Sequence, residues 1–101
     1  MKLQIHAVHF DADPKLLDFI QKKVDKLDTF FDRITDGEVF LKLEKGNEKM
    51  HLKIVELKVN IPGQTLFAKQ TENSFEAAAD EAVEAIRRQL KRFKEKNFAH
   101  H

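Results

Sequence analysis

Seven apolar residues, Phe75, Ala78, Ala79, Ala82, Ile86, Leu90 and Phe93, recur at three- and four-residue spacings between Asn73 and Lys96. Only an α-helix gathers such a series on one side, so the stretch is predicted to be a long amphipathic helix whose stripe docks on the rest of the chain. Asn73 is a favoured N-cap residue and Glu76 completes a capping-box pattern with it, which predicts the helix start. The charges along this helix change sign. From Thr71 to Ile86 every charged residue is acidic (Glu72, Glu76, Asp80, Glu81, Glu84), and from Arg87 to Lys96 every one but Glu95 is basic. Acids near the start and bases near the end suit the helix macrodipole, by roughly 0.3–1 kcal/mol each. That accounts for one or two bases. Arg87, Arg88, Lys91, Arg92, Lys94 and Lys96 exceed what a last turn uses, and they repel one another unless a polyanion or neighbouring acids offset them. The surplus points to nucleic-acid contact.

The remaining segments are predicted to be what this helix docks on. Leu3, Ile5 and Ala7 alternate with Gln4, His6 and Val8, the period-two pattern of a first strand. Asp13-Pro14 reads as an N-cap followed by proline at the first helical position. A first helix then runs to about Phe31, with Leu16, Leu17, Ile20, Val24, Leu27 and Phe31 as its apolar face. On a 100° wheel Lys15, Lys22 and Lys26 fall on one flank, and Asp18, Asp25, Asp28 and Asp32 on the other, with Lys23 at the basic edge of the apolar face. Asp36-Gly37 predicts a turn. Val39, Leu41 and Leu43 alternate in a second strand, and Lys45-Gly46-Asn47-Glu48 supplies a hairpin connection. A third strand spans roughly His51 to Ile61. Its apolar parity changes between Ile54 and Leu57, which predicts a bulge near Val55. Pro62-Gly63 fits the centre of a type II turn, and Thr65 to Lys69 forms a fourth strand.

This order is β-α-β-β-β-α. A helical crossover makes strands one and two parallel, and strands two to four form an antiparallel meander. The expectation is therefore an α+β fold: a four-stranded mixed sheet with both helices packed on one face. The other face, carrying Gln4, Lys42 and Glu44, is expected to stay wet.

With 101 residues the chain is expected to be a single domain, 1–101, frayed from about 97 onward. Absence of cysteine removes disulfides, thiolate chemistry and zinc fingers. No apolar run reaches membrane-spanning length, and Met1-Lys2-Leu3 opens directly into a strand pattern, so the expected location is the cytoplasm. Catalytic groups are poor candidates. Ser74 is the only serine and sits in no recognisable nucleophile motif. His6, His9 and His51 lack the cysteines or spaced carboxylates of a metal site and read more simply as exposed or core-edge residues. Three glycines make no phosphate loop. We therefore expect no enzymatic activity, cofactor, metal, membrane contact or small-molecule substrate.

Net charge is only +1, so attraction to a polyanion has to come from segregation of charge. Two helices side by side combine the basic flank of the first with the basic end of the second, a surface suited to phosphates and to folded RNA read by shape. The phenylalanines fall mostly on core positions and Trp and Tyr are absent, which disfavours single-strand readout by stacking. A protein-interaction module, or a generic structured-RNA-binding module, is the alternative.

The element order and three segments together resemble the bacterial ribosome hibernation-promoting factor and ribosome-associated translation inhibitor family, in its short form. The segments are Lys23-Val-Asp-Lys26-Leu-Asp-Thr-Phe-Phe31-Asp32-Arg33-Ile34, Val39-Phe-Leu-Lys42-Leu-Glu44-Lys45, and Arg88-Gln89-Leu90 followed by Arg92, Lys94 and Lys96. The likeness covers nearly the whole chain. It implies a double-stranded-RNA-binding-domain-like fold, monomeric off the ribosome, that lodges in the small ribosomal subunit where mRNA and the A- and P-site tRNAs otherwise lie. It also implies that Lys23, Lys26, Arg88, Arg92, Lys94 and Lys96 contact ribosomal RNA. With the neighbouring bases, the expected RNA-facing set is Lys22, Lys23, Lys26, Arg33, Arg88, Lys91, Arg92, Lys94 and Lys96. The long form of the family adds a domain that dimerises ribosomes, for which this chain leaves no room.

Overall fold

A computed structural model describes residues 1–45 and 51–98, apart from the side chains of His51 and Phe98. The elements are β1 (Lys2–Ala7), α1 (Pro14–Phe30), β2 (Asp36–Lys45), β3 (His51–Ile61), β4 (Gln64–Glu72) and α2 (Phe75–Phe98). They form one sheet in the order β1-β2-β3-β4, with β1 parallel to β2 and the other pairs antiparallel. Val39, Leu41, Val55, Leu57, Val59, Ile61, Leu66 and Ala68 share one sheet face. They pack in a single core with Leu16, Ile20, Val24 and Leu27 of α1 and Ala78, Ala82, Ile86 and Leu90 of α2. Both helices thus cover the same face of the sheet.

The helix starts follow from local chemistry. Asp13 takes an extended conformation and its carboxylate accepts from the Lys15 N–H at 2.8 Å, while Pro14 supplies the first helical residue. At α2 the cap is Ser74 rather than Asn73. The Ser74 hydroxyl accepts from the Ala77 N–H at 3.1 Å and its carbonyl from the Ala78 N–H at 3.1 Å. Asn73 and Ser74 are adjacent residues of similar capping propensity, so only the path of the chain leaving β4 selects between them. Ser74→Ala is expected to destabilise the fold by about 1 kcal/mol in denaturant titration, and Asn73→Ala by much less; the opposite ranking would restore Asn73 as the cap.

Other expectations change in the sheet. Asp36-Gly37 opens β2 instead of forming a turn. Gly37 sits in a crowded position there. A Cβ would lie 3.1 Å from Met1 Sδ, 3.2 Å from Leu3 Cδ1 and 3.3 Å from the Lys58 carbonyl oxygen. The bulge near Val55 does not occur, since β3 keeps an unbroken register with β2 from Asn60 to His51 and with β4 from Ile61 to Lys53. Regular pleating instead sends Leu52 and Ile54 to the outer face. The apolar parity switch reflects burial on both faces: Ile54, only 6% exposed, is buried on the outer face beside Val55, buried on the inner one, while Leu43, of helix-facing parity, is 44% exposed.

Strand β4 reaches Glu72, beyond the expected Lys69. Gly63, at φ 83, takes the left-handed position of the Pro62-Gly63 turn. The outer face carries the Lys42–Glu56 ion pair at 3.1 Å, but it also carries a His6–Phe40 ring stack and Phe67, 51% exposed. It is therefore less polar than expected. The expected hairpin residues Gly46, Asn47 and Glu48 lie outside the described residues, as does the tail beyond Phe98.

Candidate nucleic-acid interface

The basic residues singled out by sequence, apart from Arg33 in the turn after α1, stand on two helices that run in the same direction. Lys23 of α1 meets Asp80 of α2 at 2.8 Å, and further along both helices the Phe30 carbonyl accepts from Lys94 Nζ at 3.1 Å. The edge-on contact of Phe31 and Phe93, with ring centroids 5.8 Å apart, lies at the same end. The C-terminal ends of α1 and α2, where the bases of α2 concentrate, therefore lie side by side.

Contacts divide these bases into two groups. Lys22 pairs with Asp18 at 3.0 Å across one turn of α1. Lys23 is tied to Asp80 and stands 5.6 Å from the Phe19 ring centroid, so its ammonium links the two helices. Lys94 donates to the Phe30 carbonyl and also lies 4.5 Å from the centroid of the Phe30 ring. Lys26, Arg88, Lys91, Arg92 and Lys96, by contrast, are exposed, and among the described residues their side chains make no hydrogen bond or ion pair. Arg33 is exposed and lines a recess at the end of α1 with Thr29, Phe30, Asp32 and Lys94. A second recess, between the start of β4 and the end of α2, is lined by Gln64, Gln89, Arg92 and Lys96.

Two contributors were not in the sequence-derived set. Arg87 is paired with Glu84 at 3.3 Å and has its guanidinium 5.5 Å from the Phe30 ring centroid. Phe30 thus carries two cations against one ring, an arrangement stabilised by roughly 0.5–1 kcal/mol per cation at exposed sites. Helix periodicity places Phe30 off the core stripe, which was the available signal. Gln89 donates from Nε2 to the Phe67 carbonyl at 2.9 Å, covering part of the β4 edge.

The acidic half of α2 is built differently. Arg88 shares a recess with Gln70, Asp80, Glu81 and Glu84. A hydrogen bond with Glu72, supplemented by desolvation and by the charges of Glu72 and Asp80, holds Glu81 above its usual carboxylate range. Negative charge dominates this half and positive charge the other, so the charge along the helix has a direction, with Arg88 at the boundary. On the far flank of α1, Asp25 accepts from Gln21 Nε2 at 2.9 Å and Asp28 accepts from the Met1 amino group. Of the histidines, His6 lies 3.2 Å from Glu38, and no group of three metal-ligating side chains gathers among the described residues.

A family model described as "Sigma 54 modulation protein / S30EA ribosomal protein" matches residues 3–97. A ribosome hibernation promoting factor from Pseudomonas putida is 32% identical over 96 residues, spanning 95% of this chain and 89% of the relative. One from Klebsiella oxytoca is 30% identical over 96 residues, spanning 95% and 96%. Among solved structures, a ribosomal subunit interface protein from Coxiella burnetii superposes with a TM-score of 0.82 at 23% identity, covering 93% of this chain and 98% of the other. The N-terminal domain of Protein Y from Thermus thermophilus gives 0.78 at 24%, covering 92% and 99%. These two likenesses are of fold.

Proposed function

We propose that this chain, which belongs to the sigma 54 modulation protein / S30EA ribosomal protein family, is a ribosome hibernation factor that binds the small subunit and inhibits translation by occupying the mRNA and A- and P-site tRNA positions. The observation that carries the reading is the group of exposed cations without partners among the described residues: Lys26 on α1, and Arg88, Lys91, Arg92 and Lys96 on α2. A folded protein gains little from leaving five like charges unpaired on adjacent helices. A polyanion with spaced phosphates removes that repulsion and releases its own counterions. Relatives named as ribosome hibernation promoting factors support the choice of ribosomal RNA over other polyanions.

In this reading the protein acts as a monomer, and inhibition needs no reaction. Basic side chains take up phosphates of the decoding region that are uncovered when mRNA and tRNA are absent, and the body of the fold excludes both ligands. If the five cations each neutralise one phosphate, log affinity falls with log salt at a slope of about −3.5 to −4.5, from about 0.7–0.9 per phosphate.

The test is co-sedimentation with purified small subunits across a salt series, with and without pre-bound mRNA and initiator tRNA. Empty subunits are expected to bind with that slope, and filled subunits to exclude the protein competitively. Equal binding to filled subunits would sink the steric account, and binding without salt dependence would sink the electrostatic one.

A further inference from the structure

Helix α1 carries no basic residue in its last turn, although the final carbonyls of a helix lack intrahelical donors and carry the negative end of its dipole. The Phe31 N–H returns to the Leu27 carbonyl at 2.8 Å. The Phe30 carbonyl receives its donor from another element: Lys94 Nζ of α2, at 3.1 Å, across 64 residues of sequence. The same ammonium lies 4.5 Å from the Phe30 ring centroid, where the π face favours it further. One side chain of α2 thus serves as the C-terminal cap of α1.

We infer that Lys94 is a positioning residue and not a phosphate ligand: by capping α1 from α2 it fixes how the two basic helix ends stand relative to one another, and so aligns Lys26 with Lys91 and Arg92 for a single run of RNA phosphates. The inference rests on the RNA-binding reading above and goes beyond it, because it removes from the ligand set a lysine that charge counting places there. Its logic is competition for one ammonium. Lys94 is already engaged by a helix-end carbonyl and a ring, in a partly buried setting, so a phosphate gains less from it than from an unengaged lysine. Lys91, three residues earlier and exposed, carries no such engagement.

The experiment compares Lys94→Gln, Lys94→Arg and Lys91→Gln in thermal melts of the free protein and in salt-dependent small-subunit binding well below the melting range. Lys94→Gln is expected to lower Tm by about 4–8 °C and to weaken binding by about fivefold or more, with the salt slope unchanged. Lys94→Arg, which keeps a cationic donor, restores both. Lys91→Gln is expected to leave Tm in place and make the slope less negative by about one. A slope change of about one in Lys94→Gln overturns the inference, because it makes Lys94 a ligand. Unchanged Tm overturns the capping role, and unchanged affinity overturns the positioning role.

A double-mutant cycle between Lys94→Gln and Phe30→Leu, read by Tm alone, tests the ring contact without ribosomes, since Phe30→Leu keeps the backbone carbonyl: losses smaller in combination than in sum support that contact, and additive losses reject it. A wild-type protein that fails to bind subunits would refute the functional reading, while the capping of α1 is still decided by the melts of Lys94→Gln and Lys94→Arg.

Discussion

Lys26→Glu combined with Arg92→Glu weakens small-subunit binding by about 100-fold or more, at about 1.5 kcal/mol for each charge-assisted hydrogen bond to phosphate. The two residues are chosen because each helix supplies one and neither makes an ion pair among the described residues. Reversal removes two favourable interactions and introduces two carboxylates beside phosphates, so the estimate is a lower bound. Thermal stability should change little, since surface substitutions of this kind stay within about 0.5 kcal/mol. The matched control is Asp25→Lys on the opposite flank of α1, where the side chain accepts from Gln21 and its charge acts on the Met1 amino group. It is expected to alter binding by less than about threefold. Comparable effects of the control and the double reversal would show that the basic flank is not the binding surface.

The second large effect is on folding. Leu90 is fully buried on α2, one residue from Lys91 and two from Arg88 and Arg92, within the core shared by both helices and the sheet. Leu90→Ala is expected to cost about 2–5 kcal/mol, from reduced burial plus the cavity left where helices and sheet converge. For a domain of this size each kcal/mol moves Tm by about 4–8 °C, so a fall of roughly 8–40 °C should appear in a thermal scan. Binding of the folded fraction at low temperature should be nearly preserved, because no cation is removed. A loss below about 1 kcal/mol would mean that α2 is held mainly by its polar contacts and not by its apolar stripe. Together the two variants are expected to separate an inner stripe that sets stability from outer cations that set affinity.

Much of this architecture was legible in the residues because it depends on short-range periodicity. The spacings from Phe75 to Phe93, and from Leu16 to Phe31, can be satisfied only by helices with one buried stripe, and every residue of the two stripes except Leu17 and Phe93 is buried. Alternation identified all four strands, Pro62-Gly63 its turn, and the helical crossover a parallel β1–β2 pair. The errors occurred where neighbouring residues offered equivalent local chemistry. Asn73 and Ser74 are both good caps, and Asp36-Gly37 has turn composition although Gly37 lies inside a strand, where Met1, Leu3 and the Lys58 backbone would crowd a Cβ. The apolar parity switch in β3 resembles a bulge because alternation does not distinguish a bulge from a regular strand that buries Ile54 on one face and Val55 on the other.

The candidate interface divides in the same way. By itself the sequence determined that α2 changes sign at Arg87 and that α1 has a basic flank, since both follow from residue order on a 3.6-residue helix. It could not tell which cations are committed. Lys23 and Lys26 are equivalent on a charge count, as are Lys91 and Lys94. Only the packing of α1 beside α2 puts Asp80 against Lys23 and the Phe30 carbonyl and ring against Lys94, while Lys26 and Lys91 remain exposed. Distances between side chains far apart in sequence are set by the docking of whole elements, and a cation's strongest local partner decides whether it is available to an external anion.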